Sequence, residues 1–170
     1  MVRIILSTLL LLAGFTLCLG QDTAGSEKNS KLIIKADTQF SAKSSQQISA
    51  ESTKPGADFN LTLAEDLKGI EGMIAKGSEV FGRVIKVEKL PNESSASEIT
   101  IIFDFIKNGE DFIPLHALVI AIENQTDPIK LKASENIPGG TVFSLQGKNL
   151  TIEQDTLIRI KLTEDINFGG

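Results

Sequence analysis

The chain has 170 residues, which is the length of one domain of ordinary size, with 17 basic and 22 acidic residues and a net charge of −5. No run of Lys or Arg supplies the basic patch that phosphate contacts need, so we expect no nucleic-acid partner. The absence of Trp and Tyr argues against sugar-stacking platforms and against the aromatic girdles of membrane barrels.

The first twenty residues, MVRIILSTLLLLAGFTLCLG, have the pattern of a secretory signal peptide. A basic start precedes the apolar run Ile4–Leu19, and the small residues Cys18 and Gly20 fit a cleavage site. We therefore predict a signal peptide at 1–20 and a periplasmic or secreted bacterial protein. Its net charge becomes −6, because Arg3 is the only charged residue removed. The alternative is an uncleaved membrane anchor, although the run is short for a bilayer.

The numbers of cysteine and histidine residues limit the metal sites that the chain could form. Cys18 is the only cysteine, and Leu17 before it is larger than a lipoprotein signal requires, so we do not expect lipidation. After cleavage no cysteine remains, and His116 is the only histidine. We therefore predict no disulfide, no metal site and no cofactor, since only scattered carboxylates are left as ligands.

The mature chain begins with a polar stretch at 21–30, which predicts a flexible leader, and continues as one β domain at 31–170. Lys54–Gly56 is a turn signal, and the segment 57–63 alternates strictly between apolar and polar residues, as in a half-buried strand. No segment sustains a helical period. The sequence predicts an all-β fold, a small barrel or sandwich-like barrel of about seven short strands.

Two apolar runs, ITIIFDFI and FIPLHALVIAI, flank the turn KNGED and predict a hairpin over 99–122. Strict alternation places Phe105 in one row with Ile99, Ile101 and Phe103. Both faces of the hairpin are apolar, so the rest of the chain, another subunit or a partner must cover the second face. We favour the C-terminal strand that contains Ile158, Ile160 and Leu162 as the cover. Pro114 cannot donate to a ladder and indicates an edge or a bulge.

The stretch GMIAKGSEVFGRV, 72–84, has glycines at the spacing of a phosphate-binding loop. That loop needs Lys after the second glycine and a following helix, whereas Ser78 follows Gly77 here and a strand pattern comes next. We therefore interpret the stretch as a turn into a bent strand. Gly82 inside the alternating run indicates a bulge or a close backbone approach.

His116 is the only residue that raises the question of nucleophilic catalysis. In the simplest hairpin register Asp104 lies diagonally across from it, but no serine is placed to complete a triad. We favour a half-buried structural histidine over a hydrolase centre. The carboxylate pairs Glu65–Asp66, Glu110–Asp111 and Glu164–Asp165 fall in turns, where solvated acids are expected, so we predict no catalytic, cofactor-binding or metal-binding residue.

The segment KPGADFNLTLAEDL, followed by GMIAKGSEVFGRV, resembles the barrel domain of the TrbI-type component of type IV secretion and conjugation systems. It resembles still more the short secreted relatives of that domain in acidobacterial soil bacteria. The blocks SEITIIFDFIKNGEDFIPLHALVIAI and GKNLTIEQDTLIRIKL extend the likeness over about 33–162. Ala75 departs from the family, which usually has Pro there. The long N-terminal region and the pore-lining helical pair are absent, so the resemblance implies the barrel and not a pore.

We therefore expect a secreted or periplasmic, non-enzymatic barrel that acts through protein contacts at the cell envelope, with a partner protein or by self-association. A link to type IV secretion follows from the resemblance. Two alternatives remain open: a carrier that holds a small apolar ligand inside the barrel, and a hydrolase that uses Asp104 and His116. Membrane contact is expected only through an uncleaved signal segment.

Overall fold

A computed structural model describes residues 31–169, so the predicted signal peptide at 1–20 and leader at 21–30 lie outside the described residues. Every regular element in the described part is a β-strand, which confirms the all-β prediction. Between residues 31 and 169 there is no helix long and apolar enough to cross a membrane. The described part has fifteen strands where about seven were predicted, and six of the fifteen are only two or three residues long. The fifteen strands are β1 (Leu32–Ile34), β2 (Gln39–Ser44), β3 (Ile48–Ser49), β4 (Asp58–Leu63), β5 (Leu67–Lys68), β6 (Met73–Ile74), β7 (Glu79–Glu88), β8 (Ala96–Asn108), β9 (Asp111–Pro114), β10 (Ala117–Glu123), β11 (Lys130–Ala133), β12 (Thr141–Gln146), β13 (Thr151–Ile152), β14 (Leu157–Leu162) and β15 (Ile166–Phe168).

The main sheet runs β10-β14-β2-β4-β7-β8-β12-β11 and curls until its two ends meet, so it is nearly closed into a barrel. At the seam, the backbone N–H of Val119 on β10 donates to Oγ1 of Thr141 on β12 at 3.0 Å. The apolar side chains of alternating positions point inward and form one continuous core. Closure removes most of the sheet edges that would otherwise be open to another chain.

The C-terminal strand β14 lies between β10 and β2. Its three inward residues, Ile158, Ile160 and Leu162, are no more than 1% exposed. The structure therefore agrees with the prediction that this segment closes the barrel over one face of the 99–122 region, whereas Phe112 and Ile120 on the outer side are 57% and 38% exposed.

The return run of the predicted hairpin forms two strands, which pair with two different neighbours. The turn holds two residues, Gly109 and Glu110, instead of the expected five, and β9 pairs with β8. The positive φ of Gly109, 62°, fits the first central position of a type II′ turn. After the bond from Leu115 N–H to the Asp104 carbonyl the chain leaves β8, and β10 pairs with β14 instead. Pro114 therefore ends a short edge strand, as predicted.

A β-bulge on β8 reverses which side chains face the core. The register with β7 shifts between Phe81, opposite Phe105, and Gly82, opposite Phe103, so Asp104 is the extra residue. Phe103 before the bulge is buried, whereas Phe105 after it lies on the outer face. The predicted row that joined Phe105 to Phe103 is therefore wrong, because alternation cannot register an inserted residue.

At this bulge the backbone of β7 at Gly82 lies close to the backbone of β8. A Cβ there would stand 2.3 Å from the Ile102 carbonyl oxygen and 2.5 Å from Cζ of Phe59. Only glycine fits, which confirms the close approach inferred from the sequence.

Five barrel strands begin in the same way, each directly after a four-residue turn. In each turn the third residue has positive φ and the fourth donates its N–H to the carbonyl of the first, which is the type II arrangement. The third residues are Asp37, Gly56, Gly77, Gly139 and Asp155, and the strands that follow are β2, β4, β7, β12 and β14.

Four of these turns also bind a neighbouring strand, three of them at its last residue and one at Val84 within β7, an arrangement we call a turn clip. Gly77 N–H donates to the Leu63 carbonyl at 3.0 Å, and Leu63 N–H donates back to the Ser78 carbonyl at 2.9 Å. The same pair of bonds joins the turn before β4 to β7, the turn before β2 to β14, and the turn before β14 to β2. The clips thus act in two reciprocal pairs, and those at Ser44, Leu63 and Leu162 satisfy backbone groups that a strand end would leave open.

One end of the barrel carries two small sheets, β1 with β15 and the hairpin β5–β6. Because the strands are antiparallel, the starts of β2 and β7 and the ends of β4 and β14 all lie at this end. The hairpin joins β1 through Ile33 N–H, which donates to the Glu71 carbonyl at 2.8 Å. We call this the capped end.

Candidate protein-contact surface

The stretch 72–84 forms a turn clip and a bent strand. In a phosphate-binding loop, successive backbone N–H groups point at the anion. Here three successive backbone N–H groups have acceptors within the protein. Lys76 N–H donates to Oδ1 of Asp66 at 2.8 Å, Gly77 N–H to Leu63 and Ser78 N–H to Ala75. These three N–H groups are used in hydrogen bonds within the fold, in agreement with the interpretation from the sequence.

Asp104 and His116 line the same surface cleft, although the predicted hairpin register is not the one observed, and they differ in environment. Both carboxylate oxygens of Asp104 accept from Arg83, at 2.9 Å from Nε and 2.7 Å from Nη2. This hydrogen bonding, and then the charge of Asp104, raises the pKa of Arg83 above its ordinary value. His116 is exposed, so the expectation of a half-buried imidazole is wrong. Its place in the fold is fixed by its carbonyl, which accepts from Thr163 N–H at 2.9 Å.

Two of the turn carboxylates are structural. Asp66 accepts the Lys76 N–H bond described above. Asp165 accepts from Nζ of Lys35 at 2.7 Å and from Ala36 N–H at 2.8 Å. The Lys35 hydrogen bond and then the Ala36 N–H hold the pKa of Asp165 below its ordinary value. Both acids are exposed, as expected, and they also fix turns at the capped end. Within residues 31–169 no three His, Cys, Asp or Glu side chains come together as a metal site would require.

The outer face of β7, β8 and β9 carries three phenylalanines whose rings contact one another in sequence, which we call the aromatic ridge: Phe81, Phe105 and Phe112. The rings of Phe81 and Phe105 lie 4.7 Å apart at 30°, and those of Phe105 and Phe112 lie 5.1 Å apart at 90°. Phe112, on the edge strand, is 57% exposed. Cross-strand stacking accounts for the first two rings, but an exposed third ring gains little from packing.

The ridge continues into a shallow cleft of about 230 Å³. Pro114 lies opposite Phe105 in the β8–β9 register and lines this cleft together with Ile102 and Pro138. Its polar rim consists of Asp104, which is paired with Arg83, and His116. Rigid aromatic and proline groups beside a fixed Arg–Asp pair are the side-chain types that concentrate binding energy at protein interfaces.

Sequence reasoning missed the aromatic ridge. The sequence pattern places Phe81 in a bent strand without assigning its face, Phe105 in one row with Phe103, and Phe112 in the return run of the hairpin. The available signals were the interior Gly82, which marks the bulge, and Pro114, which ends the edge strand soon after Phe112.

The nearly closed barrel of residues 31–169 has a counterpart among solved structures. The chain is similar in structure to ComB10 of the Com type IV secretion system of Helicobacter pylori, with a TM-score of 0.50 and 13% sequence identity. The match covers 82% of this chain and 92% of ComB10. At that identity the likeness establishes the fold. No family model matches the sequence, and no curated protein sequence matches it.

Proposed function

We propose that this protein is a barrel module of the bacterial cell envelope, periplasmic or secreted, that acts through protein contacts in a system related to type IV secretion. It is a short relative of the TrbI-type barrel and carries out no catalysis. The aromatic ridge is its contact surface. The observation that carries this proposal is the exposed Phe112, which packs edge to face against Phe105 beside the cleft.

Three features support a contact role. The ridge sits on a sheet whose strands are fixed by the bulge at Asp104, so an approaching partner meets a preorganised surface. The cleft offers apolar walls and one charged pair, which suits a side chain of a partner better than a reacting substrate. The structurally similar protein, ComB10, is a component of a type IV secretion system.

The carrier alternative needs space inside the barrel. The inward side chains, for example Leu61, Ile99, Phe143 and Ile160, are fully buried and pack together in one core. A ligand inside would have to displace them at a high packing cost. We therefore favour the contact function over the ligand-carrier function.

The test is site-specific photo-crosslinking in the native host. A photo-reactive residue replaces Phe112 in one strain and Lys43, an exposed residue on the outer face of β2, in the matched control. We expect a discrete crosslinked species from position 112 and none from position 43. Identical crosslinking from both positions, or none from position 112, would contradict the ridge as the contact surface.

A further inference from the structure

The tip of the β8–β9 hairpin contains the only Asn-Gly pair of the chain, Asn108–Gly109. In such a pair the backbone nitrogen of the glycine can attack the side-chain amide of the asparagine, because no Cβ shields that nitrogen and the glycine backbone rotates freely. The aromatic ridge and the cleft do not include this pair, and the proposed function does not use it.

Both reacting groups lie in an open part of the turn. Gly109 is exposed, and nothing lies within 4 Å of the position that a Cβ on it would occupy. Among residues 31–169, no hydrogen bond involves the N–H of Gly109 or the side-chain amide of Asn108. By contrast, Oδ1 of Asn149 accepts from Leu90 N–H at 2.9 Å and is held in place. The Asn108 amide is therefore free to rotate toward the glycine nitrogen.

The hairpin slows this attack without preventing it. Asn108 and Asp111 stand opposite each other in the last pair of the β8–β9 ladder, so the attack requires this pair to open. A terminal pair next to an exposed turn frays at small cost, because few backbone bonds and little buried apolar area are lost. We therefore expect the reaction in the folded protein, at a lower rate than in an unfolded chain.

We propose that Asn108 is a site of spontaneous deamidation. The Gly109 nitrogen, after losing its proton to the solvent, forms a bond to Cγ of Asn108, and ammonia leaves as the succinimide ring closes. Water then opens the ring at either carbonyl, which gives aspartate or isoaspartate at position 108. The net reaction takes up water and releases ammonia, so it needs no enzyme and no further reactant.

The product changes the hairpin that carries Phe112. Isoaspartate adds a methylene to the main chain at position 108, so the backbone no longer matches Asp111 across the ladder. Either product also places a new carboxylate beside the exposed Glu110 and Asp111, where like charges repel. Phe112 follows directly and loses part of the pairing that holds its ring against Phe105. This effect on binding rests on the proposed function, whereas the deamidation does not.

The experiment incubates the purified full chain at mildly alkaline pH and follows two readouts. Peptides from a digest are analysed by mass spectrometry and with isoaspartyl methyltransferase, which labels isoaspartate. Asn124 is the internal control, because it is exposed and has positive φ but precedes Gln125. Asn108→Gln is the matched variant, since its longer side chain closes the ring poorly. Hydrogen exchange is measured at the N–H of Ile113 in β9 and of Ile160 in β14.

We expect isoaspartate at position 108, and unchanged peptides from position 124 and from the Asn108→Gln variant. Exchange at Ile113 should become several-fold faster in the converted protein and stay unchanged at Ile160. Absence of isoaspartate at position 108, or equal conversion at position 124, overturns the proposed site. Conversion with unchanged exchange at Ile113 overturns the effect on the hairpin. Photo-crosslinking from position 112 in fresh protein tests the contact function separately, so the two proposals can fail independently.

Discussion

Replacing Gly77 by alanine tests whether the turn clips hold the barrel through backbone conformation. No atom lies within 4 Å of the position that a Cβ would occupy, so crowding contributes nothing. The cost comes from φ of 89°, which a side chain disfavours by about 1–2 kcal/mol. The reduced freedom of the unfolded chain returns about 0.4–1 kcal/mol, so the net loss of unfolding free energy is about 1 kcal/mol.

The measurement is a thermal melt followed by circular dichroism. For a domain of this size the loss lowers the melting temperature by about 4 °C. Gly77→Asn should cost less, because asparagine tolerates positive φ, and Gly77→Val should cost more, since its β-branched side chain does not. Gly82→Ala is the steric counterpart and should be the most damaging of these changes, because its Cβ meets backbone and the Phe59 ring. Equal melting temperatures for Gly77→Ala, Gly77→Asn and Gly77→Val would refute the reasoning.

Three further predictions concern the closing strand, the acid end of the pH range and catalysis. Truncation after Asn136 removes β12 to β15, including the closing strand β14, and should expose the inner face of β10, giving aggregation and dye binding; a soluble, folded monomer would contradict this. Because the pKa of Asp165 is lowered in the fold, its contribution to stability is complete above the ordinary Asp value of 3.8 and is lost as the pH falls through the lowered pKa. Asp165→Asn should therefore flatten the pH dependence of the unfolding free energy below about pH 4, and an unaltered profile would argue against the Lys35 contact. His116→Ala should cost little stability, since the side chain is exposed, and should remove no turnover of ester, glycoside or phosphate substrates; a wild-type turnover lost in the variant would establish an enzyme.

Turns that contain glycine were predictable from the sequence, and those built on aspartate were not. Gly56 and Gly77 mark their turns because glycine tolerates positive φ at no steric cost. Asp37 and Asp155 adopt φ of 65° and 62° in the same turn, but an Asp-Thr pair carries no comparable signal when each is read alone. Comparing the turns with each other would have revealed them, since an apolar residue stands three positions before each of Asp37, Gly77 and Asp155.

The candidate surface was less predictable than the fold for a related reason. Alternation assigns faces correctly until one residue is inserted, and the extra Asp104 transfers Phe105 from the inner face to the outer one. The insertion depends on contacts between β7 and β8, which lie apart in the sequence. The inward row of β14 has no such interruption, and its three residues were placed correctly.

The reciprocal clips between β2 and β14 also determine when the barrel can form. Asp37 N–H bonds to Leu162 near the C-terminus, and the turn before β14 returns the bonds to Ser44. Neither clip exists until almost the whole domain is present, so the domain should fold late and slowly, as expected for pairing between distant segments. If the protein is exported N-terminus first, as the proposed envelope location requires, the barrel cannot close until β14 has left the translocation channel. The order of export and closure would then follow from where the closing strand lies in the chain.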